Sequence, residues 1–142
     1  MAKQIKKSSE TFSDDERSAM QERARELKAG KGNGEQMVMD ALAKMPDPDR
    51  AMGKKIHEIV TKNAPSLTPK TWYGMPAYAN KDGKAVIFFR AAYKFKERYA
   101  MLGFNDMAKL DDGEMWPIAY ALKKITAADE SKIAALVKKA IG

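Results

Sequence analysis

The spacing of the apolar residues changes at Pro65. Before this proline, apolar residues recur every three or four positions, which is typical of amphipathic helices. After it come short runs rich in aromatic and β-branched residues, which are typical of strands: KTWY, PAYA, KAVIFFRA, RYAMLGF and PIAYALKKI. Residues 80–83, NKDG, lie between two of these runs and predict a hairpin, because Asp and Gly tolerate the backbone angles of a tight turn. With a final helical segment after Thr126, the order predicts an α+β fold, an antiparallel sheet with helices packed on one face.

Capping signals and apolar spacing place the helices of the globular part. Apolar residues at helical spacing predict a helix over residues 35–44. Asp47 is expected to cap the next helix, with Pro48 in its first turn, where a missing N–H costs nothing. Thr126, followed three positions later by Asp129, predicts a capping box at the start of the last helix.

The segment WYGMPAY, residues 72–78, contains three aromatic residues, a glycine and a proline. Pro76 lacks an N–H and pushes the residue before it into an extended conformation, so GMP is expected to separate two strand pieces at an edge or bulge. Gly74 is expected to supply a positive φ there. Alternating aromatic side chains are more typical of a core than of a cofactor site; here they are Trp72, Tyr78, Phe88 and Phe89. The alternative, a ligand-binding surface, stays open for this segment, and its candidate residues are Trp72, Tyr73, Met75 and Tyr78.

Residues 1–34 are expected to form an accessory arm outside a globular domain of residues 35–142. Ser13 and Glu16 form a capping box that predicts a helix from Asp14 to Lys28, but the apolar stripe of this helix is thin. The glycines of the following AGKGNG are typical of a linker. Their spacing does not match a phosphate-binding loop, so the interpretation as a linker is favoured.

Composition restricts the classes of protein to which the chain can belong. The 142 residues include no Cys, which excludes disulfides, thiolate metal ligands and cysteine nucleophiles. No apolar run approaches the roughly 18 residues of a membrane span, and no apolar segment follows the basic N-terminus. We expect a soluble cytoplasmic protein without a membrane partner and without a bound cofactor.

Few residues suggest metal binding or catalysis. The single histidine, His57, falls off the apolar stripe of its helix and is expected to be an exposed imidazole without a metal. Acidic residues cluster in NDMAKLDDGEMW, where Asp111, Asp112 and Glu114 are weak candidates for a cation site and a turn is the favoured alternative. No nucleophile motif or histidine pair indicates an enzyme.

The basic segment RAAYKFKERY is the strongest signal of a binding site in the sequence. In an extended strand, side chains alternate between two faces, so four cations would form one ridge; these are Arg90, Lys94, Lys96 and Arg98. This ridge would suit a small anionic ligand, an acidic protein partner, or nucleic acid bound without sequence preference. The alternatives are a solvated sheet face and a bend after Ala92 that breaks the alignment.

Two longer stretches carry a resemblance to a known family. They are WYGMPAYANKDGKAVIFFRAAYKFKERYAMLGF and WPIAYALKKITAADESKIAALVKKAI, and over residues 35–141 the chain resembles the YdhG-like family of bacterial domains of unknown function. The resemblance implies helices before a small curved sheet and a closing helix. Some members of the family are labelled frataxin-like intracellular iron chaperones. The expected function is therefore non-enzymatic binding of a ligand or partner, with an iron chaperone as the alternative.

Overall fold

The computed structural model describes residues 15–21 and 33–142. Four helices are present in these ranges: α1 (residues 15–21), α2 (Gly34–Ala43), α3 (Asp49–Asn63) and α4 (Ala127–Ile141). The strands are β1 (Thr68–Trp72), β2 (Met75–Ala79), β3 (Ala85–Arg90), β4 (Ala100–Phe104) and β5 (Ala119–Leu122). Part of the helix predicted in the arm is thus helical, while its cap at Ser13, its C-terminal part and most of the linker lie outside the described residues. α2 begins at Gly34, a residue that the sequence pattern assigns to the linker.

The five strands form one curved antiparallel sheet in the order β1-β2-β3-β4-β5. The register puts Tyr78 beside Ile87, Ile87 beside Phe104, and Phe89 beside Leu102. These side chains share one face of the sheet and join the core with Leu42 and Ile56 of the helices, and with Val137 of α4. The predicted α+β class, with helices on one face of an antiparallel sheet, is confirmed.

The first hairpin differs from the predicted break at GMP. Tyr73 and Gly74 have φ of 52° and 79° and form a two-residue turn between the paired residues Trp72 and Met75. Two successive positive φ values suit the right-handed twist of a hairpin. The positive φ expected of Gly74 is confirmed, but Pro76 lies inside β2. The first pair between β2 and β3 is Ala77 with Phe88, one residue after Pro76. The missing N–H of Pro76 therefore removes no hydrogen bond from the β2–β3 ladder.

The second hairpin matches the prediction from NKDG. The N–H of Asn80 donates to the carbonyl of Lys84 at 2.9 Å. The side-chain oxygen of Asn80 accepts from the backbone N–H groups of Asp82 and Lys84, both at 3.0 Å. Gly83 has φ of 80°, which a glycine adopts without steric cost.

The N-terminus of α3 contradicts the prediction that Asp47 caps it. Pro48 occupies the cap position, and no side chain accepts a hydrogen bond there. The carboxylate of Asp47 instead accepts from the guanidinium of Arg50 at 3.2 Å. The buried acid at this end of the helix is Asp49, which lies in the first helical turn.

The predicted capping box of α4 is present. The Thr126 hydroxyl accepts from the backbone N–H of Asp129, and the Asp129 carboxylate accepts from the N–H of Thr126. These hydrogen bonds also hold the pKa of Asp129 below its ordinary value.

Replacing Thr126 by alanine is expected to lower the free energy of unfolding by about 1 kcal/mol, because the cap hydrogen bonds are lost. The measurement is urea unfolding followed by circular dichroism. Ser131→Ala, an exposed change in the same helix, is the matched control and should stay within roughly 0.5 kcal/mol of the unmodified protein. Equal stability of the two variants would contradict the capping role.

Candidate functional site

A cavity of about 570 Å³ lies between α2, the β1–β2 turn and a 3₁₀ turn at Tyr93–Phe95. Its volume falls within the roughly 300–1,000 Å³ usual for small-molecule sites. Its apolar wall comes from four parts of the chain and includes Met37, Met45, Met75, Phe89 and Phe95. Because methionine is flexible and polarisable, three methionines can adapt to apolar ligands of different shape.

Charged groups lie at the same cavity. Lys44 follows the C-terminus of α2, and Lys94 is in the 3₁₀ turn. The carboxylate of Asp40 also lines the cavity, where it accepts from the amide of Gln36 at 2.9 Å. Among the described residues that line the cavity, two cations and one anion leave a local excess of positive charge, which favours an anionic group on a ligand.

Thr71 adds a buried hydroxyl to the cavity lining. This residue is 3% exposed, and its Oγ1 has no hydrogen-bond partner among the described residues. Leaving a buried hydroxyl unsatisfied costs about 1–3 kcal/mol. A ligand that hydrogen-bonds to Thr71 would recover this free energy.

A buried carboxylate anchors the turn that forms one wall of the cavity. Asp49 is 4% exposed, and its Oδ2 accepts from the backbone N–H of Tyr93 at 2.9 Å. A charged acceptor makes this hydrogen bond stronger than a neutral one. The first turn of α3 therefore fixes the position of Tyr93 and of the neighbouring Lys94.

The four cations of the predicted ridge do not share one strand face. β3 ends at Arg90, the chain then forms the 3₁₀ turn, and Lys96 has φ of 55°. The guanidinium of Arg90 pairs with Glu97 and lies 4.2 Å from the centroid of the Phe95 ring. The guanidinium of Arg98 lies 5.3 Å from the centroid of the Tyr99 ring. The bend after Ala92, left open by the sequence, is confirmed, and only Lys94 of the four lines the cavity.

The aromatic candidates also lie in different parts of the structure. Trp72 and Phe88 are half-buried, with ring centroids 5.4 Å apart, and Tyr73 is 44% exposed. Tyr78 is 1% exposed and lies in the core, as does Phe89. Of the residues proposed from this segment, Met75 alone lines the cavity.

His57 is not the exposed imidazole that the sequence predicts. It is buried at 9% exposure, with Nδ1 2.9 Å from the hydroxyl of Tyr78 and Nε2 3.2 Å from Oε1 of Glu35. A carboxylate only accepts, so Nε2–H donates to Glu35; in the neutral imidazole Nδ1 is then the acceptor for the Tyr78 hydroxyl. The prediction fails because polar partners 21 and 22 residues away in sequence cover the imidazole. These bonds tie α2, α3 and β2 together.

The stability of the protein is expected to fall above pH 10 through Tyr78. Burial, with a smaller effect of Glu35, raises the pKa of this hydroxyl above its ordinary value of about 10. Above pH 10 the unfolded chain releases a proton that the folded chain retains. The contribution of Tyr78 is therefore complete below pH 10 and declines by up to about 1.4 kcal/mol per pH unit above it.

Urea unfolding at pH 9 and pH 11 measures this decline. Tyr78→Phe has no group to titrate, so between these pH values it should lose about 1.4 kcal/mol less stability than the unmodified protein. Tyr73→Phe changes an exposed tyrosine and should behave like the unmodified chain. The same decline in all three proteins would contradict the assignment to Tyr78.

The weak cation candidates Asp111, Asp112 and Glu114 are all exposed. Within residues 15–21 and 33–142, no group of three or more His, Asp or Glu side chains is arranged to hold a metal ion. In the same ranges, none of the helices combines the length and the apolar character needed to cross a bilayer.

Sequence reasoning finds the cavity only in part. Met75 and Lys94 are among its candidates, but Thr71 and Lys44 carry no motif. Met37 and Met45 belong to the apolar stripe that predicts the helix over residues 35–44, and this pattern does not indicate a cavity. Comparisons with protein-family models, curated proteins and solved structures found no match. The YdhG-like resemblance therefore stays a prediction.

Proposed function

We propose that this chain is a non-enzymatic binding domain of the YdhG-like type, and that the cavity beside α2 binds a small amphipathic anion. The observation that carries the proposal is the combination of an apolar lining with two lysines and a buried hydroxyl that lacks a partner among the described residues. Such cavities bind ligands through apolar area and gain orientation from a few polar groups.

The ligand has an apolar body and an anionic end. Its apolar part lies against the methionines and Phe95, and its carboxylate or phosphate pairs with Lys44 and Lys94. Lysine acts on such a group as a mobile point charge, so the lysines select for charge more than for shape. Thr71 donates to an oxygen of the same ligand, which removes the cost of its unsatisfied hydroxyl.

The absence of Cys supports a cytoplasmic location, because disulfides are rare in that reducing compartment. The alternative from the resemblance is a frataxin-like iron chaperone. Iron favours carboxylate and imidazole ligands, whereas the candidate acids are exposed and His57 is engaged with Glu35 and Tyr78. We therefore place iron second to the amphipathic anion.

Displacement of a fluorescent probe tests the proposal. Anilinonaphthalene sulfonate combines aromatic rings with one negative charge, and its emission should rise on binding to the folded protein. Decanoate should displace it. The double variant Lys44→Gln/Lys94→Gln should weaken decanoate binding about tenfold, since charged hydrogen bonds are lost. Lys138→Gln/Lys139→Gln removes the same charge from exposed positions on α4 and is the control.

Thr71→Val is expected to move stability and affinity in opposite directions. Valine has nearly the shape of threonine without the buried hydroxyl, so the unliganded protein should gain about 1 kcal/mol of stability. Decanoate should bind about fivefold more weakly, because its hydrogen bond to the hydroxyl is lost. Unchanged affinity in this variant and in the Lys44→Gln/Lys94→Gln variant would contradict the proposed site.

A further inference from the structure

The face of the sheet opposite the helices has a distinct composition. The register places one row of side chains across all five strands on this face: Lys70, Ala77, Phe88, Gly103 and Ala119. A second row next to it contains Trp72 with its partner Met75, and then Arg90, Met101 and Ala121. Trp72, Phe88 and Met101 are half-buried, while the two alanines of β5 are exposed. The open face and the cavity proposed as the ligand site meet at Met75, and none of the other residues of the two rows lines the cavity.

Aromatic rings form the centre of the open face. The Trp72 ring centroid lies 5.4 Å from that of Phe88 and 5.1 Å from that of Tyr73. The Phe88 ring lies directly over Gly103, where an added Cβ would be 2.1 Å from its Cζ. Ala77 is 0% exposed beneath the cluster. Small residues on β2 and β4 thus leave room for a platform of three aromatic residues, Trp72, Tyr73 and Phe88.

The charged residues of the two rows have one sign. Lys70 and Arg90 are the charged residues of the two rows, and the rows contain no acid. Arg90 is held beside the platform by Glu97 and Phe95, and the ammonium of Lys70 donates to the Gly83 carbonyl at 3.3 Å.

A shallow depression continues the open face toward the second hairpin. Its lining in the described part of the chain includes Lys70, Trp72 and Lys84, and one acid, Asp106. The aromatic platform is therefore bordered by three cations, Lys70, Lys84 and Arg90, and by two acids, Asp106 in the depression and Glu97 in its pair with Arg90.

We propose that the open face binds single-stranded nucleic acid without sequence preference. Bases stack on Trp72, Tyr73 and Phe88, and phosphates pair with Lys70, Lys84 and Arg90. Stacking tolerates any base, because every base has a flat aromatic face. A second copy of this chain fits less well, because it would bring Lys70 and Arg90 against like charges. Duplex DNA would leave the rings unused, because its bases are already stacked on one another.

Tryptophan fluorescence measures the contact directly. The chain has two tryptophans, Trp72 and Trp116, so Trp116→Phe leaves Trp72 as the reporter. Adding a 12-nucleotide oligo-dT at low salt should quench this emission, since a base stacks on the indole. Oligo-dA should bind with similar affinity, and a 12-base-pair duplex should bind more weakly with little quenching. Each phosphate contact should contribute about −0.7 to the slope of log affinity against log salt concentration.

Variants on the same background separate stacking from general attraction to a basic protein. Trp72→Leu and Phe88→Leu keep apolar bulk but lose the stacking rings, and each should weaken oligo-dT binding at least about fivefold, as measured by anisotropy of a labelled strand. Lys70→Gln, a change at the surface, should weaken binding and reduce the salt slope. Lys138→Gln removes one charge from α4 on the helical side and should change neither quantity. Circular dichroism checks the fold of every variant.

The result expected is quenching of Trp72, equal binding of oligo-dT and oligo-dA, and loss of affinity in the platform variants but not in Lys138→Gln. Absence of quenching would overturn the proposal. Equal effects of Lys70→Gln and Lys138→Gln would also overturn it, because binding would then depend on net charge alone. A dimer in sedimentation that Trp72→Leu dissociates would assign the face to a second copy instead. Decanoate binding in the cavity is measured separately, so either proposal can fail while the other holds.

Discussion

Replacing Gly34 by alanine is expected to destabilise the protein by about 3 kcal/mol, although alanine normally favours a helix over glycine. A Cβ at Gly34 would lie 2.0 Å from the carbonyl oxygen of Pro69 in β1. The oxygen is a backbone atom and the backbone fixes the position of a Cβ, so no side-chain rotation relieves the clash. The first turn of α2 would have to move away from the sheet.

Thermal unfolding measures this change, and a loss of about 3 kcal/mol should lower the midpoint by roughly 6–12 °C in a chain of this size. Gly83→Ala is the control, because no atom lies within 4 Å of its added Cβ and only the positive φ is strained. That variant should lose about 1 kcal/mol. A Gly34→Ala protein as stable as the unmodified chain would show that α2 does not contact β1 at this point.

Replacing Phe89 by alanine is expected to cost about 4 kcal/mol, because a fully buried aromatic side chain is removed and a void remains. Phe89 is 0% exposed, and its ring lies 3.1 Å from the position that a Cβ would take on Gly53 of α3. It also forms part of the cavity wall, so the same change enlarges the proposed ligand site.

The adjacent residue provides a matched control for this prediction. Phe88→Ala removes the same atoms from the opposite face of β3, where the side chain is only half-buried. It should cost about half as much in urea unfolding, since less apolar area returns to water. A larger loss for Phe88→Ala than for Phe89→Ala would mean that the helices cover the other face of the sheet.

Local signals in the sequence were sufficient to predict structure where the residues joined by hydrogen bonds are close along the chain. The capping box needs only Thr126 and Asp129, three residues apart. The second hairpin needs only the side chain of Asn80 and the positive φ of Gly83. In both cases the hydrogen bonds that define the structure connect residues within five positions, so a short window of sequence contains the whole cause.

Features that depend on residues distant in sequence could not be predicted from a short window of sequence. The burial of His57 depends on Glu35 and Tyr78, which lie on two other elements. The basic ridge fails because β3 ends at Arg90, where pairing with Glu97 holds a bend. Nothing in RAAYKFKERY distinguishes that bend from a continued strand.

The cavity also depends on residues that are distant in sequence. Its lining residues come from α2, the first hairpin, β3 and the 3₁₀ turn, and only the fold brings them together. Thr71 shows why the sequence does not reveal the site. A threonine on an edge strand is expected to be exposed to solvent, whereas Thr71 is 3% exposed and its hydroxyl has no hydrogen-bond partner among the described residues. The chemistry of the site therefore follows from tertiary structure rather than from a motif.

Methionine methyl groups offer the most direct test of the proposed ligand site. The chain has 10 methionines, and Met37, Met45 and Met75 line the cavity. Met101 lies on the open face of the sheet, and Met115 is 89% exposed. With ¹³C-methyl methionine, titration with decanoate is expected to shift the three cavity methyls in the NMR spectrum and to leave the other two in place. Shifts of Met101 and Met115 without shifts of the cavity methyls would contradict binding in this cavity.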